Sequence, residues 1–180
     1  MKISVVIPTY NRRPILEKCL SALERQRLEA PIEGYEVVLV DDGSTDETVA
    51  WIQAEAASYP HVRLIQQDHG GPAAGRNRGV DQARGDVIVF IDSDLVVTEM
   101  FLLSHARALA QHWQRTGNRL CFTYGAVINT ANFESPTSEP HKLRDLSWAY
   151  FATGNVAIDR EVLETSGLFD TRFRLYGWED

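Results

Sequence analysis

The stretch "VIVFIDSDLVV", residues 87–97, places two carboxylates, Asp92 and Asp94, two positions apart at the end of an apolar run. In a strand, residues i and i+2 share a face about 6–7 Å apart. Carboxylates approaching to roughly 4–6 Å repel by about 3–4 kcal/mol at an effective dielectric near 20, and partial burial adds several more per ion. A divalent cation removes that repulsion. Carboxylate oxygens are hard ligands, so the pair points to Mg2+ or Mn2+, ions that borrow further oxygens from a diphosphate. That implies a nucleotide ligand. The chain has no GxxxxGK[ST] loop, and "GGPAAG" (70–75) lacks GxGxxG spacing, so the metal would carry the phosphates.

Two further polar clusters stand at comparable places. "ISVVI" (3–7) and "YEVVLV" (35–40) read as buried strands, and they run into Pro8-Thr9-Tyr10-Asn11 and Asp41-Asp42. In an open α/β sheet ligands bind outside the carboxyl ends of the strands, so all three clusters converge on one edge. Acidic residues also end strands and cap helices, which is the plainer reading for Asp42 and Asp46. Arg76, just inside the helix beginning at Pro72, can fork onto a phosphate or a base edge. Arg78 reads as solvated surface. The five histidines show no HxxxH, HExxH or Cys/His spacing, and no GxSxG elbow supports a serine nucleophile. Trp51 and Trp113 read as core, whereas Trp148 and Trp178 flank late segments and can line a sugar site.

The elements that must position these groups alternate. Helices are expected over 14–28, opened by Pro14; after Gly43, capped by Ser44, Thr45 or Asp46 and carrying Val49, Ile52 and Ala56; over 71–83; and over 98–113, capped by Thr98. Strands at 62–66 and 86–91 complete a βαβαβαβ order. Their apolar character throughout, without alternation, predicts a mainly parallel sheet covered on both faces. Strands over 120–130 and 148–158 follow, separated by a polar loop over 131–147, and Asp159 can cap a short helix ended by Gly167. At 180 residues this is one domain.

Composition narrows the class. A net charge of −7 argues against a nucleic-acid binder, which carries a basic excess. Cys19 and Cys121 make no disulfide framework and read as buried free thiols. The apolar run of "MKISVVIPTY" is too short for a signal peptide, and no stretch approaches the roughly 18–20 residues of a membrane span. The expectation is a cytoplasmic domain, compatible with peripheral attachment at the inner face of a membrane.

Taken together, "VVIPTYNR" (5–12), "VVLVDDGSTDET" (37–48), "GPAAGRNRGVDQARGDVIVFIDSD" (71–94) and "TGNVAIDREVLETSGLFDTRF…GWED" (153–180) resemble the family 2 glycosyltransferases, inverting enzymes of the GT-A fold. The resemblance implies transfer of a sugar from a nucleotide-diphosphate sugar, with UDP as the first expectation, to an acceptor hydroxyl in glycan or polysaccharide biosynthesis. It implies that Thr9 and Asp41 contact the nucleoside within the Pro8–Asn11 and Asp41 segments, and that Arg76 helps hold the base or phosphates. Asp92-Ser93-Asp94 looks like the family's DxD motif, with Asp92 near the ribose and Asp94 on the Mn2+ or Mg2+. Gly154 and Asn155 fall where the family borders the donor sugar. Glu179-Asp180 looks like the acceptor-side pair, with Asp180 matching the general base, and "GWED" resembles a galactosyltransferase-type segment. Residues 1–97 then form a nucleotide-binding part and 98–180 an acceptor-side part. Family members continue past that pair, so the expectation is a domain shortened at its C-terminus.

Two other readings stand beside this one. The first is a nucleotide-sugar-binding fragment without turnover. The second is a haloacid-dehalogenase-type phosphatase, because "FIDSDLVV" satisfies hhhhDxDx[TV] with Asp92 as nucleophile. That reading requires a later lysine on the sheet, and Lys142, in the polar loop, is the only one downstream.

Overall fold

Residue parity explains why the strands are apolar throughout. In β1 (Lys2–Thr9), Ile3, Val5 and Ile7 face one layer and Val6 the other. Likewise Val37 and Leu39 of β2 (Gly34–Asp41) oppose Val38 and Val40, and Val87, Val89 and Ile91 of β4 (Val87–Ile91) oppose Ile88 and Phe90. Each strand therefore buries both of its faces. The first layer receives α1 (Arg13–Leu23), α2 (Thr48–Ala54) and α4 (Phe101–Thr116), through Leu16, Leu20, Trp51, Leu102 and Leu109 among others. The second receives α3 (Pro72–Gln82) and α5 (Arg160–Ser166), through Ala73, Val80 and Leu163.

The computed structural model describes residues 1–130, 132, 134–135, 146–147 and 153–172. With β3 (Val62–Gln66), β5 (Phe122–Tyr124) and β8 (Asn155–Asp159), the main sheet runs β3-β2-β1-β4-β8-β5. Its first four strands are parallel, and β8 is antiparallel to both β4 and β5. A separate two-stranded pair joins β6 (Val127–Ile128) to β7 (Leu146–Ser147). Register places the polar strand ends together. Thr9 lies opposite Asp41, and Val6 opposite Phe90, so continuing that register brings Pro8 level with Asp92.

Several local expectations give way to long-range contacts. The first helix stops at Leu23 rather than 28, because Gln26 and Arg27 bond to the start of α4 instead: Gln26 Nε2 donates to Thr98 O, and Arg27 N–H to Glu99 O. That helix begins at Phe101 without a side-chain cap from Thr98. Its Leu102 N–H donates to Gln26 Oε1 at 3.0 Å, a cap supplied from a distant helix end. The second helix ends at Ala54, followed by a 3-10 turn over Ala56–Ser58; its N-cap is Glu47, without a side-chain cap, rather than Ser44, Thr45 or Asp46, although Asp46 Oδ1, one residue earlier, accepts from Thr48 N–H.

The strand expected over 120–130 breaks at Gly125, where an added Cβ would fall 2.5 Å from Asn155 Nδ2. The strand expected over 148–158 is described from Asn155. Asp159 caps α5 by accepting from Glu161 and Val162, and Gly167 ends it at φ 105°. Cys19 is buried and Cys121 partly exposed, both free. Burial, then the charges of Asp94 and Asp92, hold the Cys19 thiol pKa well above its ordinary value. No helix among the described residues is long and apolar enough to cross a membrane.

Candidate active site

The carboxyl ends of β1, β2 and β4 and the start of α3 enclose a cleft of about 220 Å³. Pro8, Thr9, Tyr10, Arg76, Asp92, Ser93 and Asp94 line it, seven residues expected from the sequence. Thr9 and Asp41 are buried, at 3% and 2% exposure. Asp41 Oδ2 accepts from Ser44 N–H at 3.1 Å, but Asp41 Oδ1 and Thr9 Oγ1 have no hydrogen-bond partner among the described residues. Buried polar oxygens are ordinarily satisfied, so two orphans on register-paired residues at a cleft mark a place for a ligand's donors.

Asp42 differs from its neighbour in having both oxygens engaged. Oδ1 accepts from Gly70 N–H at 2.9 Å and Gln67 Nε2 at 2.7 Å, and Oδ2 from Gly71 N–H at 2.9 Å. His69 Nδ1 lies 3.0 Å from the same Oδ2. Asp42 ties β2 to the loop that opens α3, and it also lines the cleft. Asn11 is also an anchor: at φ 51°, it receives Thr45 and Asp46 N–H on Oδ1 and donates its own N–H to Ser44 Oγ. Asn11 and Asp41 border the cleft without lining it.

Arg76 is 2% exposed and donates from Nη2 to Asp92 Oδ1 at 3.1 Å, with its guanidinium 5.7 Å from the centre of the Phe169 ring. Asp94 Oδ2 accepts from Arg12 Nη1 at 2.5 Å, both side chains being about half exposed. Among the described residues, Asp92 thus meets the Arg76 guanidinium and Asp94 that of Arg12. Among the described residues no group of three His, Cys, Asp or Glu side chains gathers to hold a metal. Two carboxylates suit a hard cation that draws its remaining oxygens from water and phosphate. The donor set fits Mg2+ or Mn2+ on Asp92 and Asp94.

Gly154, just before β8, lies against Asp92, since an added Cβ would fall 3.2 Å from Asp92 Oδ2. Asn155 does not line the cleft. Its Oδ1 lies 2.9 Å from His105 Nε2, and its Nδ2 donates to Ala126 O. His105 is buried on α4, with Nδ1 2.7 Å from Thr123 Oγ1, and burial lowers its pKa despite the opposing bond to Asn155. Arg78 is exposed and paired with Asp81, in keeping with a solvated face. Glu179, Asp180, Trp148, Trp178 and Lys142 lie outside the described residues.

Sequence reasoning missed Arg12, Asp42, His69, Gly71 and Pro72 as lining residues. The signal for His69 was present: "QDHGG" follows the carboxyl end of the parallel strand β3. The His69 ring now stands 4.4 Å from that of Tyr10, tilted by 34°. Arg12 carried only its position beside "PTYN".

Known proteins share this fold. The structure superimposes on a mannosyltransferase from Pyrobaculum calidifontis, solved in complex with GDP-Man and Mn2+, with a TM-score of 0.70 and 26% identity over 94% of this chain and 47% of that one. It superimposes on TarS of S. aureus with a TM-score of 0.71 at 20% identity, over 98% of this chain and 32% of that one, a likeness of fold. In sequence it is 41% identical over 96 residues to the poly(ribitol-phosphate) beta-glucosyltransferase of Bacillus spizizenii, 52% of this chain and 15% of that protein. The chain thus spans less than half the length of each of these three. Its architecture is the GT-A fold, and with residues 4–167 matching the pattern of glycosyl transferase family 2, the chain belongs to that family.

Proposed function

We propose that this chain supplies the donor-binding region of an inverting, metal-dependent glycosyltransferase that moves a sugar from a nucleotide-diphosphate sugar, UDP-linked in the first instance, to a hydroxyl of a glycan or polysaccharide. The observation that carries this reading is the pair of buried oxygens without a partner among the described residues, Thr9 Oγ1 in the cleft that Asp92 and Asp94 also line, and Asp41 Oδ1 on the residue register-paired with Thr9. Asp41 accepts from the base edge and Thr9 from the nucleoside; Tyr10 and His69 wall the same cleft. Asp92 lies toward the ribose, its carboxylate oriented by Arg76. Asp92 and Asp94 would hold Mn2+ or Mg2+, which when bound neutralises charge growing on the leaving diphosphate. Asp180, beside Glu179, takes the proton of the acceptor hydroxyl, which attacks the anomeric carbon opposite the diphosphate.

The described cleft lies wholly within residues 8–94, which supports the division into a nucleotide-binding part over 1–97 and an acceptor-side part over 98–180. Its volume of about 220 Å³ falls below the roughly 300–1,000 Å³ of sites that enclose a whole small ligand. A cleft of this size suits part of a nucleotide sugar. A reducing, cytoplasmic setting agrees with the two free thiols.

Titration calorimetry with UDP-, GDP- and dTDP-sugars in Mn2+ tests the reading, repeated in EDTA and with Asp94→Asn. The expected result is binding of one nucleotide class, weakened by both changes. Affinity indifferent to EDTA and to Asp94→Asn would remove the metal from the proposal. Binding without transfer to any acceptor would leave a nucleotide-sugar-binding module. Phosphate release from p-nitrophenyl phosphate, lost in Asp92→Asn, would instead favour the phosphatase.

A further inference from the structure

The Arg12–Asp94 pair joins two residues 82 positions apart, and it bears on how the cleft takes its ligand. Arg12 is the N-cap residue of α1, whose first turn carries no acidic side chain. A cation at the positive end of a helix is unfavourably placed unless an anion meets it. Asp94 Oδ2 is that anion, 2.5 Å from Arg12 Nη1, and Arg12 lines the same cleft as Asp92 and Asp94. Arg12 and Arg76 hold their carboxylates differently. Arg76 is buried, bonded to Asp92 and placed over the Phe169 ring, whereas the Arg12 side chain is 48% exposed.

Resting on the nucleotide-sugar reading above, we infer that Arg12 is a charge-swap residue: it neutralises Asp94 until a divalent cation takes that carboxylate, then turns to the diphosphate of the nucleotide. The electrostatics require an exchange of this kind. A guanidinium in contact with Asp94 competes with a second cation for the same oxygens, and the two positive charges repel at short range. A diphosphate entering the cleft offers Arg12 a replacement with fork geometry matched to paired phosphate oxygens. Arg12 thus opposes the metal alone and assists the metal and diphosphate together. Their binding becomes mutually reinforcing through this side chain.

The test measures Mn2+ binding by electron paramagnetic resonance and UDP and GDP binding by calorimetry, in the wild type, Arg12→Gln and Arg12→Lys. Because the Arg12 side chain is exposed and its described contact is Asp94, these variants are expected to fold, which circular dichroism checks. Arg12→Gln should bind Mn2+ alone about two- to fivefold more tightly, the scale of an exposed ion pair. At saturating Mn2+ it should bind the nucleoside diphosphate about tenfold more weakly, the scale of one charge-assisted contact. Arg12→Lys should fall between on both measures. Unchanged or weaker Mn2+ binding by Arg12→Gln, or unchanged nucleotide binding, overturns the swap while leaving the nucleotide-sugar reading intact. Failure of the wild type to bind either nucleotide with Mn2+ overturns both.

Discussion

Two adjacent buried aspartates, Asp41 and Asp42, should fail in opposite ways when neutralised. In Asp42→Asn one acceptor oxygen becomes an NH2 group facing a backbone N–H of Gly70 or Gly71. Bonds to charged groups contribute about 1.5–3 kcal/mol, and a buried N–H left unpaired costs about 1–3 kcal/mol, so the expected loss is about 2–3 kcal/mol. For a domain of this size each kcal/mol lowers Tm by about 2–4 °C, giving a fall of about 4–12 °C. In Asp41→Asn only the Ser44 N–H contact is at stake, and neutralising a carboxylate with one unpartnered oxygen relieves some of the burial penalty. Its Tm should stay within about 3 °C. Nucleotide affinity should move the other way, falling about 10- to 100-fold in Asp41→Asn, the worth of one charged hydrogen bond, and by less than about threefold in Asp42→Asn. Differential scanning fluorimetry and titration calorimetry on the same preparations give both numbers. If Asp42→Asn melts with the wild type, or the nucleotide does not distinguish Asp41→Asn, the partition between anchor and ligand contact is wrong.

Gly79→Ala should destabilise by about 1–3 kcal/mol in urea unfolding although alanine favours helix, because its Cβ would stand 2.3 Å from Val6 Cγ1; adding Val6→Ala should recover part of the loss. Burial holds the His105 pKa below 6.5 despite the bond to Asn155, so below that pH the unfolded chain binds more protons than the folded one. Stability should therefore be full above about pH 7 and decline as pH falls through about 6.5 toward the folded pKa. Tm measured from pH 7.5 to 5.5 should drop more steeply in the wild type than in His105→Gln, and parallel curves would refute the assignment. Gly154→Ala, with a Cβ 3.2 Å from Asp92 Oδ2, should weaken nucleotide-sugar binding several-fold with a small change in Tm; an unchanged affinity would show that Asp92 tolerates the displacement.

Local chemistry along the chain determined the strands, the sheet class and the edge where polar residues meet. Runs such as "VVLV" and "VIVFI" are apolar on both parities and fit only strands covered on both faces, and Asp41 and Asp92 begin where those runs stop. Asp159 and Gly167 bounded α5 correctly because a cap and a left-handed end are properties of a few adjacent residues. Tertiary structure decided whatever depends on partners far apart in sequence. Gln26 ends α1 and caps α4 across 76 positions, and Arg12 meets Asp94 across 82. Asp41 and Asp42 are equivalent in sequence, yet folding fills both oxygens of one from the loop before α3 and leaves an oxygen of the other bare. Asn155, expected at the donor sugar, bonds to His105, whose place on α4 no local signal couples to β8. A residue's type states which bonds it can make; only the packed sheet and helices decide which partner comes within reach.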